Sequence, residues 1–233
     1  DNCKLPTSIS TPKALFFNDM ETRDYNTTDR LLMGLDQSLR TLFGRPQVTE
    51  RPDPSLNLAE SEAADATREL SARLMRINHS GEVCAQALYH GQALTARLPE
   101  VRESMERAAQ EESDHLVWCE NRLKQLGSHK SLLNPFWYAG SFALGATAGL
   151  IGDKWSLGFV AETEHQVVAH LEEHLRRIPA EDARSRAILE QMKEDEQAHA
   201  GAALAGGGAK LPAPVKLAMR LTSKLMTKST YWV

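Results

Sequence analysis

Residues 108–119 read AAQEESDHLVWC, and within them Glu112 and His115 stand three positions apart. On a helix, positions i and i+3 share a face, so this carboxylate and this imidazole can reach one point. One Glu-x-x-His is common on solvated helix faces and carries no chemistry alone. The rest of the chain supplies partners. A second copy, EQAH, sets Glu196 and His199 at the same spacing, 84 residues on. Ahead of each copy stands a further glutamate: Glu82, in HSGEVC, 30 residues before Glu112, and Glu164, in AETEHQ, 32 residues before Glu196. Such a gap is a helix, a turn and the return, which brings the earlier glutamate opposite the later one. His165 adjoins Glu164, but the repeat selects Glu164.

Four glutamates and two histidines from four helices form the ligand set of a di-iron or di-manganese carboxylate bundle. Carboxylates bridge two hard cations and offset their charge, while each histidine caps one metal and leaves positions open for dioxygen. Without a cation, four buried glutamates would repel one another. The candidate ligands are therefore Glu82, Glu112, His115, Glu164, Glu196 and His199. Manganese and zinc also suit them. Met75, His79, Ala85 and Tyr89 share the Glu82 face, and Ala108 and Cys119 that of His115. Ser113 and Asp114 read as off-axis spacers, with Glu111 and Asp114 facing water or lying just outside the ligands. Gly81 allows either close backbone approach at a crowded site or plain helix packing.

The dominant period is helical, and Val, Ile and Thr never alternate over a strand length. A short amphipathic stretch follows Asp29, and three prolines mark 45–57 as a linker. The spacing predicts long helices over about 61–98, 99–127, 153–178 and 181–204, with Pro99 in a first turn and Gly127 as a stop. Asn134-Pro135 reads as N-cap and first turn, and a last amphipathic helix covers about 213–228. Two tight turns and one long connection, 128–152, imply an all-α up-down bundle with a crossover. About 18 helical residues at ~1.5 Å each span ~27 Å, enough to carry the chain back along the bundle. The domain reading is an N-terminal arm over 1–28, a short helix and linker over 29–57, and the bundle over 58–233. Residues 1–19 differ in texture from METRDYNTTDRLL, which reads like a natural start, so they are expected to be foreign to the natural chain or poorly ordered.

With 27 basic and 31 acidic residues the net charge is −4, which gives no footprint for nucleic acid. Three cysteines without a C-x-x-C argue against a disulfide scaffold or zinc knuckle and for a reducing compartment. Cys84 and Cys119 read as small core residues. The first residues lack the basic and apolar regions of a signal peptide. Residues 132–151, LLNPFWYAGSFALGATAGLI, carry no charge and are formally long enough to span a bilayer. A helix lying in the membrane interface fits better, because Glu112 and Glu164 must meet in one bundle. Packing at an oligomer interface is the remaining reading, and GATAG serves helix packing in any case. The last helix, with Lys216, Arg220, Lys224 and Lys228 beside an apolar row, reads as a second membrane contact or a cap on the bundle.

At MRINHSGEVCAQALYHGQ, QEESDHLVWCENRL, PFWYAGSFALGATAGLIG, AETEHQVVAHLEEHL and KEDEQAHAGAAL the chain resembles the demethoxyubiquinone hydroxylases of ubiquinone biosynthesis. The closing PAPVKLAMRLTSKLMTKSTYWV resembles their bacterial branch. The resemblance implies a ferritin-like fold holding two irons on the six residues named above. It also implies O2-dependent hydroxylation of a polyprenyl methoxy-methyl-benzoquinone ring, with reduced nicotinamide as a source of electrons. No G-x-G-x-x-G follows a strand, so that donor would not use a Rossmann site. His170 matches a histidine near the substrate in eukaryotic members, but Leu171 stands where they carry a tyrosine. Six residues turn a helix by ~600°, which puts His170 off the Glu164 face. The implied setting is peripheral, on the cytoplasmic face of the bacterial inner membrane, as a homo-oligomer in reach of a membrane-embedded quinone and other ubiquinone-biosynthesis proteins. A ferritin-type iron store or peroxide-detoxifying protein, a tRNA-hydroxylating di-iron enzyme and a metal-free bundle are the rivals. The first does not need the apolar segment, the second calls for a basic face, and the third leaves the glutamates unexplained.

Overall fold

Proline and glycine set the helix boundaries. The computed structural model describes residues 26–49, 51–60 and 64–233, so the expectation for residues 1–19 lies outside them. Helix α1 (Thr27–Phe43) opens on a reciprocal cap: the Asn26 side chain accepts from the Asp29 N–H, and Asp29 from the Asn26 N–H. The proline-free run becomes α2 (Asp65–Thr95), and Pro99 begins α3 (Pro99–Gln125), where its missing N–H costs no helical bond. Then come α4 (Asn134–Ile151), α5 (Asp153–Arg177), α6 (Ala183–Ala205) and α7 (Ala213–Thr230). No strand occurs among the described residues.

Helices α3 and α6, the return arms of the two hairpins, stop by the same device. Gly127 (φ +71°) and Gly207 (φ +94°) adopt the left-handed conformation that glycine takes without penalty. Ser128 N–H then donates to Leu123 O at 2.9 Å, and Gly208 N–H to Ala203 O at 3.1 Å, which satisfies carbonyls the helix end leaves open.

The crossover is α4, 18 residues long, packed along α2. Its N-terminus differs from expectation. Leu133 is the N-cap, and the Asn134 side chain instead reaches α2, accepting from Ser80 Oγ at 2.6 Å and lying 3.3 Å from His79 Nδ1. Backbone meets backbone at two glycines: a Cβ on Gly145 would stand 2.2 Å from Leu88 O, and one on Gly91 2.3 Å from Phe142 O. Gly149 is equally confined by Thr95, so GATAG packs against α2 within the fold. Gly81 corrects the other glycine expectation. A Cβ there would meet nothing within 4 Å, so neither the site nor helix packing requires it.

The interior is layered along the bundle axis. One apolar layer joins Leu74, Met75, Trp118, Cys119, Leu123, Leu171, Ile188, Leu189 and Met192. The other, richer in alanine, joins Ala85, Tyr89, Val101, Met105, Leu157, Val160, Ala161 and Ala203. Between them, on all four helices, lie Glu82, Glu112 with His115, Glu164, and Glu196 with His199.

Residues 45–49 and 51–60 are more than a linker. They lie against α3 and α6 as a strap: Thr49 N–H donates to Asp114 at 2.8 Å, Arg51 pairs with Asp195 at 2.6 Å, and Glu60 pairs with Arg122 at 2.7 Å. Arg122 is 1% exposed and also pairs with Asp182, the N-cap of α6, at 2.8 Å. Among the described residues no helix is long and apolar enough to cross a membrane. Leu132, Phe136, Leu144, Leu150 and Ile151 are nonetheless exposed on and just before α4, as are Leu217, Leu221 and Leu225 on α7.

Candidate metal centre

Each helix pair delivers its side chains to the middle layer as the repeat requires. Glu82, Glu112, Glu164 and Glu196 are each no more than 3% exposed, and His115 is fully buried. Glu82, Glu112, His115 and Glu196 offer ligand atoms that all lie within 4.8 Å of one another. His115 Nδ1 is 3.1 Å from Glu112 Oε2, 3.1 Å from Glu196 Oε1 and 3.6 Å from Glu82 Oε2. His199 Nδ1 is 3.2 Å from Glu112 Oε1 and 3.3 Å from Glu196 Oε2. Glu112 and Glu196 therefore each present one oxygen to each histidine, the disposition of a pair of bridging carboxylates. Glu82 stands at the His115 end. Glu164 accepts from Tyr89 Oη at 2.6 Å, which fixes one of its oxygens.

His170 does not join this group. Its ring lies against that of His174, centroids 3.9 Å apart, and His174 Nδ1 is 2.8 Å from Asn78 Oδ1. His165, the neighbour the repeat passes over, is exposed.

The electrostatics are those of a site short of positive charge. Burial, with Glu112 and Glu196 nearby, pushes the Glu82 carboxyl well above its usual range. Burial and the same two neighbours do so for Glu164. Burial would also raise Glu112, but His115 and His199 together hold it well below. Burial opposes charge on His199, yet hydrogen bonds to Glu112 and Glu196 push it up to about 12, and His115 is likewise driven well up by its carboxylates. One oxygen each of Glu82 and Glu164 is buried without a hydrogen bond. Oxygens left open in this way, together with a carboxylate and imidazole donor set, fit hard divalent cations.

Each histidine turns its other nitrogen outward. His115 Nε2 lies 2.8 Å from Asp195 Oδ2, and His199 Nε2 lies 2.7 Å from Glu111 Oε2. Both carboxylates directly precede a candidate ligand glutamate on the opposite hairpin, so the hairpins brace one another. Outer carboxylates of this kind orient a metal-binding imidazole and raise its basicity. Asp195 escaped the sequence reading; the doublets EE at 111–112 and DE at 195–196 were the available signal. Asp114 is not a spacer facing water. It is 1% exposed, and both its oxygens accept from Thr49 of the strap. Ser113 is also buried, its hydroxyl accepting from Gln86 at 2.7 Å. Cys119 is a buried core thiol 3.8 Å from Met192 Sδ, whereas Cys84 is only half-buried.

The family model described as ubiquinone biosynthesis protein COQ7 matches residues 69–230. A 3-demethoxyubiquinol 3-hydroxylase of Nitrosococcus oceani is 59% identical over 214 residues, covering 92% of this chain and 100% of that protein. The proteins of the same name from Pseudomonas fluorescens and Nitrosomonas europaea are 60% identical over 209 residues and 57% identical over 205. They cover 90% and 88% of this chain, and 97% and 98% of their own lengths. With an all-helical ferritin-like bundle, the paired ligand hairpins and this breadth of similarity, the chain belongs to the COQ7 family of ubiquinone-biosynthesis proteins.

Proposed function

We propose that this protein is a di-iron, O2-dependent monooxygenase that hydroxylates the ring of a demethoxyubiquinone-type polyprenyl quinone or quinol. The observation that carries the reading is the buried group of Glu82, Glu112, His115 and Glu196 in a chain whose relatives are named 3-demethoxyubiquinol 3-hydroxylases. Glu82, Glu112 and His115 would hold one iron, and Glu164, Glu196 and His199 the other. Two bound irons supply what no side chain can, the activation of O2 for insertion of one oxygen atom into the ring.

The chain's own residues do the rest. Asp195 and Glu111 aim the imidazoles, and Tyr89 holds Glu164 so that its second oxygen faces inward. The two apolar layers exclude water from both ends of the centre. His170 and His174, each with Nε2 lacking a hydrogen bond, are candidates to meet the quinone ring. The exposed apolar residues of α4 and α7, with Lys224 and Arg220 beside the latter, suit a peripheral seat on the inner membrane's cytoplasmic face, where the polyprenyl substrate is held. Reduced nicotinamide is the proposed electron source, and a homo-oligomer working beside other ubiquinone-biosynthesis proteins the proposed assembly.

Anaerobic loading with Fe(II), a metal count, then O2, a reductant and a demethoxyquinone analogue tests the reading. Two irons per chain and hydroxylated product are the expected result. Two irons without product overturn the hydroxylase, many irons per chain indicate a store, and no bound metal removes the centre.

A further inference from the structure

The two outward hydrogen bonds look equivalent but have different surroundings. Asp195 Oδ2 is shared: it accepts from His115 Nε2 at 2.8 Å and from Arg51 Nη2 at 2.6 Å, while Oδ1 accepts from Gln191 at 3.1 Å. Glu111 accepts from His199, and among the described residues no Lys or Arg nitrogen lies within 4.0 Å of it. Arg51 is itself anchored. Its guanidinium lies 5.1 Å over the Trp118 ring, and that ring packs against His115 with centroids 5.3 Å apart. The strap carrying it is pinned on one side by Thr49 on Asp114 and on the other by Glu60 on Arg122. These residues precede the stretch matched by the family model, which begins at 69.

We propose that Arg51 is a positioning residue that makes the two ends of the centre unequal, by fixing Asp195 on His115 and drawing off part of its charge. The inference rests on the metal-binding reading. A carboxylate that accepts from an imidazole N–H strengthens the other ring nitrogen as a donor. A guanidinium on the same oxygen competes for its lone pairs and weakens that effect. His115 is therefore held rigidly but donates less, and His199, on an unneutralised Glu111, donates more. The metal at the His115 end should be the more weakly bound and the more electron-poor of the two.

The test is anaerobic titration of metal-free protein with Co(II) alone, read by calorimetry and by the visible ligand-field bands of each binding step. Wild type should show two unequal steps. In Arg51→Ala, His115 sits on an Asp195 no longer shared with a guanidinium, so the weaker step should tighten by about tenfold and change its bands, narrowing the gap between the two steps. Asp195→Asn should move that same step, Glu111→Gln the other, and Arg51→Lys should restore most of the wild-type pattern. Melting of the metal-free proteins separates aim from architecture, and Asp195→Asn leaves the strap in place if Arg51→Ala does not fold. Equal wild-type steps, or an Arg51→Ala that shifts both steps together or neither, overturn the proposal while the centre stands. Wild type that binds no Co(II) brings down both.

Discussion

The two hairpins of this bundle carry one ligand pattern in two different surroundings. In α2, 19 of 31 residues are buried, because α3 and the crossover α4 cover it. In α5, its counterpart, 8 of 25 are buried. Packing alone would not give such unlike helices matching glutamates at 3% and 2% exposure. The demand that the halves share comes from the middle layer, where each must place two carboxylates and an imidazole. Burial varies with position in the fold; the ligand set does not.

The largest effect should come from removing a side chain that serves both ends. Glu196→Ala takes an oxygen from each histidine, so turnover and stoichiometric metal binding should both vanish while the circular-dichroism spectrum stays helical. Glu112→Ala should do the same. If one variant kept both metals, the equivalence of the halves would be broken.

Next is pH. A cation that binds here competes with protons at His115, His199, Glu82 and Glu164, all of which are shifted upward by their surroundings. Affinity should therefore rise with pH, by up to about tenfold per pH unit for each proton released. Calorimetry in buffers of different ionisation enthalpy counts the protons released, and an affinity flat between pH 6 and 8 would falsify this competition between protons and metal.

Stability variants follow. Arg122→Ala leaves Asp182 buried without its cation and frees Glu60 of the strap from α3, and should cost about 3–5 kcal/mol in denaturant melts. Leu74→Ala on α2 and Leu171→Ala on α5 sit in the same apolar layer and should each cost ~2–5 kcal/mol, despite the unlike burial of their helices. Glu172→Ala, exposed on α5, should stay within ~0.5 kcal/mol of wild type. Smallest in reach is Tyr89→Phe. It removes one hydrogen bond to Glu164, and its effect should be confined to the metal step assigned to the Glu164 end, with a change in stability near 1 kcal/mol.

Much of this was legible because it depends on local chemistry. Pro99, Gly127 and the glycine run at 206–208 punctuate helices wherever they occur, and the spacing from Glu82 to Glu112 reports a hairpin without knowledge of its neighbours. What escaped depends on partners far away in the chain. Arg51 meets Asp195 across 144 residues, and no periodicity announces such a contact. Asp114 lies off the ligand stripe and reads as a surface residue; only the strap makes it buried. Asn134 has the composition of a cap, but Ser80 competes for its side chain and wins. Three prolines made 45–57 look like a spacer, when they also suit a turn-containing segment held by polar side-chain contacts.

The layering has one more consequence. Leu189 and Ala203 lie in opposite apolar layers of the same helix, 14 residues or ~21 Å apart, with the polar stratum between them. At that separation, changes in one layer should add to changes in the other without coupling. The bundle then behaves as two independently tunable compartments around an insulated middle. Away from Trp118 and Tyr89, which touch His115 and Glu164, its melting temperature could be engineered at either end without retuning the middle layer.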